Sequence, residues 1–124
     1  QHAKIAQKSA TDLILDEQWL REDFFSCVQK RGAKIIETRG KSSAASAAQG
    51  IIDTVHSLTR PTKPGDWFSL GVYSSGNPYS IDPDLVFSFP CRLNSSGEVE
   101  VVPNLNWDSF LAAKIKATEH ELLE

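Results

Sequence analysis

From Asp16 onward, Trp19, Leu20, Phe24, Cys27, Val28, Ile35 and Ile36 recur at spacings close to 3.6 residues. That period predicts a long helix with one apolar face. Gly32 and Gly40 weaken it, and Gly40 is expected to mark a kink or a brief break. Ahead of it, residues 2–8 alternate weakly and predict a short edge strand. A second helix is expected from Ser42 or Ser43, with Ala44, Ala45, Ala47, Ala48, Ile51, Ile52, Val55 and Leu58 as its buried stripe. Half of that stripe is alanine, so a second backbone or a ligand can approach closely. Pro61, Pro64 and Gly65 end the helix in a turn.

The period then falls to two. Phe68, Leu70 and Val72 alternate with polar or small neighbours over residues 67–73. Leu85, Phe87, Phe89, Cys91 and Leu93 give a second run, after a loop from Ser74 to Pro83. Residues 94–97 form a turn into residues 98–102, a predicted hairpin. Asp108 or Ser109 caps a last helix with Leu111, Ile115, Thr118 and Leu122 on one face, still running at Glu124. Helices followed by strands predict an α+β fold, helices packed on a mostly antiparallel sheet.

At 124 residues the chain suits one domain. A net charge of −3 gives no footprint for nucleic acid or an anionic membrane. No stretch approaches the roughly 18 apolar residues of a membrane span. The sequence opens on Gln1 and contains no Met, so it is expected to be a piece of a longer or processed protein. Cys27 and Cys91 lack metal-type spacing and are expected to be reduced, half-buried thiols, with a disulfide as the alternative. His2, His56 and His120 are mutually distant, so no metal site is expected, and Glu119, Glu121 and Glu124 are expected to form a solvated face. The Asn94-Ser95-Ser96 sequon is of a kind common by chance.

One segment carries more specific chemistry. In Arg39-Gly40-Lys41-Ser42-Ser43-Ala44-Ala45-Ser46-Ala47-Ala48, two hydroxyls sit where a helix begins, and nothing larger than serine follows. A helix start has unpaired N–H groups and a partial positive charge, which attract a carboxylate. Two interpretations fit: an ordinary serine cap on a close-packed alanine helix, or an anion-contacting site.

This segment, with Val28-Gln29-Lys30-Arg31-Gly32-Ala33, Gly65-Asp66-Trp67-Phe68-Ser69, Gly71-Val72-Tyr73-Ser74-Ser75-Gly76-Asn77-Pro78-Tyr79 and Phe87-Ser88-Phe89-Pro90, resembles malate dehydrogenases of the cytosolic and chloroplast type. Trp19-Leu20 and Thr118-Glu119-x-Glu121-Leu122 continue the match over essentially the whole chain. The resemblance implies that residues 1–124 are a lactate/malate dehydrogenase carboxy-terminal domain, incomplete at its amino-terminal end and without its Rossmann domain. The parent would move hydride between NAD or NADP and the malate/oxaloacetate pair as a homodimer, in the cytoplasm or the chloroplast stroma. Ser74-Ser75-Gly76-Asn77-Pro78-Tyr79 and Phe89-Pro90-Cys91-Arg92 look closer to the chloroplast NADP branch.

In that family the catalytic histidine lies in a Gly-Asn-His-Ser stretch, which is not found here. His2 instead resembles the histidine of a following His-Ala-Lys segment that has no catalytic part. The chain alone is therefore expected to be inactive and to bind no cofactor. By resemblance, Ser42 and Ser43 lie on the substrate edge of the pocket and Ser46 lies near the nicotinamide. Which of Ser42 and Ser43 faces substrate stays open. The alternatives are a lactate dehydrogenase derived from the malate branch and a non-catalytic interaction domain on the same fold.

Overall fold

The computed structural model describes residues 3–42 and 44–124. They divide into two compact units, Gln1–Ala47 and Ala48–Glu124.

The first unit opens with a small antiparallel hairpin, β1 (Lys4–Ile5) and β2 (Lys8–Ser9), rather than with one edge strand. Ala6 and Gln7 both have positive φ, at 47° and 72°, which gives the two-residue turn the twist that strands need. Neither residue is glycine, so this turn is strained. Helix α1 (Ala10–Ile14) follows and ends on Leu15 at φ 54°.

The long helix begins where the apolar period predicts. Asp16 caps α2 (Glu17–Trp19) by accepting the Trp19 N–H at 2.8 Å. A π-helical turn, Leu20–Phe24, then leads into α3 (Phe25–Arg39). The wider turn places residues five apart above one another, and Trp19 meets Phe24 with ring centroids 5.3 Å apart. Gly32 does not interrupt α3. Gly40 ends it in the left-handed region at φ 68°, its N–H returning to the Ile36 carbonyl at 2.8 Å. Only a residue without a Cβ takes that position cheaply.

Helix α4 is described over Ala44–Thr59; of the two expected starts, Ser42 is not helical and Ser43 lies outside the described residues. Its apolar stripe is not buried: Ile51, Ile52, Val55 and Leu58 are all exposed, and half-burial falls on Thr54 and Ser57. Periodicity identified the apolar face correctly. It carried no information about what covers that face.

In the second unit the alternation is realised directly. Strand β3 (Phe68–Tyr73) pairs antiparallel with β4 (Val86–Leu93), which pairs antiparallel with β5 (Val99–Val101). The register sets Leu70 opposite Phe89 and Val72 opposite Phe87, so the odd residues of β4 and the even residues of β3 share a face. On it lie Phe89 (2% exposed) and Cys91 (fully buried), joined from the loop by Ile81. Phe68, Leu70, Val72, Tyr79, Leu85 and Ile115 pack around them.

Pro90 lies in the central strand, where it has no N–H to give. The sheet accommodates this locally. Val102 donates to the Pro90 carbonyl at 2.8 Å, and the return bond that Pro90 cannot make is replaced by the Tyr79 hydroxyl donating to the Val102 carbonyl. Tyr79 also lies against Trp107, with centroids 4.9 Å apart.

The hairpin turn is built on Asn94, whose side-chain oxygen accepts the Ser96 and Glu98 N–H groups, both at 2.9 Å. Its amide nitrogen donates to Glu100 at 2.8 Å. The sequon asparagine thus has its side chain committed to the turn. Glu100 in turn pairs with Arg92 across the strands at 2.9 Å, and these two neighbours, Asn94 first, hold its carboxyl below the usual carboxylate range.

Helix α5 (Ser109–Leu123) is capped by Asp108, which accepts the Leu111 N–H at 2.9 Å. Its inner face runs through Leu111, Ala112, Ile115 and Glu119, and Thr118 and Leu122 are exposed. The expected face was therefore correct in its first half only.

Candidate functional site

The serine-rich segment joins the end of α3 to the start of α4. Gly40 turns the chain and Lys41 and Ser42 follow, both exposed. Ser43 and His2 lie outside the described residues. The Ser42 carbonyl accepts the Ala44 N–H at 3.1 Å. Ala44, Ala45, Ser46 and Ala47, the first turn of α4, are all exposed. The first turn of α4 thus carries only small, exposed side chains, and a helix start of that kind is a setting in which backbone N–H groups can meet a carboxylate.

The described histidines lie elsewhere in the chain. His56 is exposed near the far end of α4, and His120 is exposed on α5, 3.3 Å from Glu124. Among the described residues no group of His, Cys, Asp and Glu could hold a metal ion. A shallow open groove runs along α3 past Asp23, Cys27, Lys30, Arg31, Lys34 and Arg39. These are successive turns of one helical stretch, so the groove is a helix flank, and neither Ser42 nor Ser46 lines it.

The two cysteines are free, and both depart from the expected half-burial. Cys27 is exposed on α3. Cys91 is fully buried in the sheet, and burial raises its thiol above the ordinary value, which keeps it neutral and inert.

Three polar residues escaped the reading of the sequence as sites of importance. Glu119, expected on a solvated face, is buried at 7% exposure. Its carboxylate accepts the Asp82 N–H at 2.7 Å and the Lys116 ammonium. Asn77 organises the loop after β3. Its oxygen accepts from Tyr79 N at 2.9 Å and Ile81 N at 3.1 Å, and its nitrogen donates to the Ser74 and Ile81 carbonyls, both at 2.8 Å. The Gly76-Asn77-Pro78 sequence was a usable signal, because asparagine before a turn proline readily bonds its own backbone two residues on. Ser74 is fully buried, and its hydroxyl has no partner among the described residues.

Helices together with a three-stranded antiparallel sheet make this an α+β chain, as the sequence pattern predicts. The sequence profile of the lactate/malate dehydrogenase, alpha/beta C-terminal domain matches residues 1–124, and the chain belongs to that family. It is 54% identical over 123 residues to the malate dehydrogenase of Protochlamydia amoebophila, covering 99% of this chain and 37% of that protein. It is 48% identical over 122 residues to the chloroplastic NADP malate dehydrogenase of Flaveria bidentis, covering 98% of this chain and 27% of that one. Among solved structures, Trichomonas vaginalis lactate dehydrogenase in complex with NADH and oxamate superposes with a TM-score of 0.84 at 33% identity, over 98% of this chain and 37% of that chain. Malate dehydrogenase from Naegleria fowleri superposes with a TM-score of 0.81 at 37% identity, over 97% and 36%. The chain thus spans 27–37% of the length of these relatives. No described helix is long and apolar enough to cross a membrane.

Proposed function

We propose that this domain works as the substrate-side part of an NAD- or NADP-dependent malate dehydrogenase that interconverts malate and oxaloacetate. The supporting observation is the 54% identity to a malate dehydrogenase along 99% of the chain. In this proposal a Rossmann domain and the general-acid/base histidine are supplied by parts of the protein other than these residues. The chain by itself would then be inactive and bind no cofactor, since neither requirement of hydride transfer is met. The bound nicotinamide would supply the hydride acceptor or donor.

The residues of this chain would bind and orient. Ser42 and Ser43 would offer hydroxyl donors to a substrate carboxylate, supported by the N–H groups that open α4. Ser46 would lie on the nicotinamide side. The exposed first turn of α4 carries nothing larger than serine, which suits a flat ring laid against the backbone. The exposed Ile51, Ile52, Val55 and Leu58 would seat against a second copy in a homodimer. Sedimentation of the full-length protein as a single chain would remove that part. The compartment would be cytoplasm or chloroplast stroma, and the chloroplastic relatives favour NADP.

The decisive assay offers the full-length protein oxaloacetate and pyruvate with NADH and with NADPH. Preferential reduction of oxaloacetate is expected. Preference for pyruvate would instead establish the lactate dehydrogenase alternative, which the 33%-identical Trichomonas enzyme keeps in view. Turnover of neither would leave a non-catalytic domain. In the same protein, replacing Ser42 and Ser43 together by alanine should lower kcat/KM by roughly 1–3 kcal/mol, the size of one or two lost polar contacts. Unchanged kinetics would return both serines to a capping role.

A further inference from the structure

Helix α5 is held by two kinds of force along its length. In its first half Phe110, Leu111, Ala112 and Ile115 are half-buried, and Ile115 packs against the cluster around Phe89. Beyond Ile115 every residue to Glu124 is exposed except Glu119. No apolar side chain anchors that second half.

Its one buried group instead reaches across 37 positions of sequence to the Asp82 N–H. Lys116, bonded to the other carboxylate oxygen, reaches the Ser80 carbonyl at 3.4 Å. Ser80 has φ 55°, a left-handed conformation unfavourable for a residue with a Cβ, so the turn it belongs to is held in place rather than intrinsically preferred. We propose that residues 116–123 form a latch, closed by the ionised Glu119 carboxylate on the turn at residues 80–84, which opens while the first half of α5 stays docked.

The charges around Glu119 fit this. Lys116 is its counter-ion on α5, and His120 beside it faces Glu124. From the turn come Asp82 and Asp84, but Asp82 accepts from Asp84 N at 3.0 Å and Asp84 takes the Tyr73 hydroxyl at 3.3 Å. The bond from Lys116, then that from Asp82 N, holds the Glu119 carboxyl below its ordinary 4.5. A carboxyl whose folded value is depressed stabilises fully above the ordinary value, and that stabilisation is lost as pH falls through the folded value. The carboxylate's hold on the turn is therefore complete at neutral pH and weakens on acidification.

Amide hydrogen exchange by mass spectrometry on the full-length protein tests this at neutral pH. Glu119→Ala is expected to raise exchange over residues 117–123 by about tenfold and leave residues 110–115 near wild type. Glu119→Gln keeps an oxygen for Asp82 N but no anion for Lys116, and should fall between. Lys116→Met alters a side chain that is mostly exposed, so it provides the reading if Glu119→Ala does not fold: a smaller rise confined to the same segment. Loosening of the whole helix together, or wild-type exchange in Glu119→Gln and Lys116→Met, overturns the proposal.

Discussion

Phe89→Ala is expected to destabilise the sheet unit by about 3–5 kcal/mol, the usual range for emptying a buried aromatic site. Phe89 is 2% exposed, faces Leu70 across the β3–β4 ladder, stacks near Tyr79 at 6.2 Å and meets Phe87 at 5.6 Å. Removing its ring leaves a void at the centre of a small core that its neighbours cannot close, because most of them are fixed by strand register. A loss of that size is a large share of the roughly 5–15 kcal/mol by which a folded domain is stable. Urea unfolding followed by Trp67 and Trp107 fluorescence measures it. Val86→Ala is the control: Val86 sits on the same strand but 67% exposed on the opposite face, and should change stability by no more than about 0.5 kcal/mol. Equal midpoints for the two variants would mean that the sheet face has been assigned wrongly.

That contrast also shows what the sequence could disclose. Alternation over Leu85, Phe87, Phe89, Cys91 and Leu93 named the inner face of β4 correctly, because a strand puts every second side chain on one side whatever lies beyond. The Asp16 and Asp108 caps were legible for a similar reason, since capping is satisfied within four residues of sequence. The stripe on α4 was legible only as a pattern. Whether Ile51 and Val55 are covered depends on a partner surface, and periodicity is silent about partners. Glu119 was misjudged because the acceptor that Asp82 N needs lies 37 residues away, and local composition made an acidic helix end look like a solvated one. Of the candidate site, the open, small-residue start of α4 could be read directly. Substrate and cofactor roles for Ser42, Ser43 and Ser46 come from resemblance, since no local pattern distinguishes a capping serine from a ligand-binding one.

Asn77→Ala is the second large effect, and it acts through the backbone. One side-chain amide satisfies two N–H groups and two carbonyls in the loop from Ser74 to Ile81, all at 2.8–3.1 Å. Alanine leaves the Tyr79 and Ile81 N–H groups without partners in a half-buried setting, so the expected loss is about 3–4 kcal/mol, from several unmade bonds. The damage should propagate in two directions. Ile81 is pulled into the core by this amide, and Tyr79 completes the ladder opposite Pro90, so both anchors loosen together. Asn77→Asp separates the contributions, because a carboxylate keeps the acceptor for both N–H groups and loses the donor to both carbonyls. Urea unfolding should place Asn77→Asp between wild type and Asn77→Ala. A near-wild-type Asn77→Ala would show that the loop holds its shape through Pro78 and Gly76 alone, and that the asparagine is an ornament of the turn.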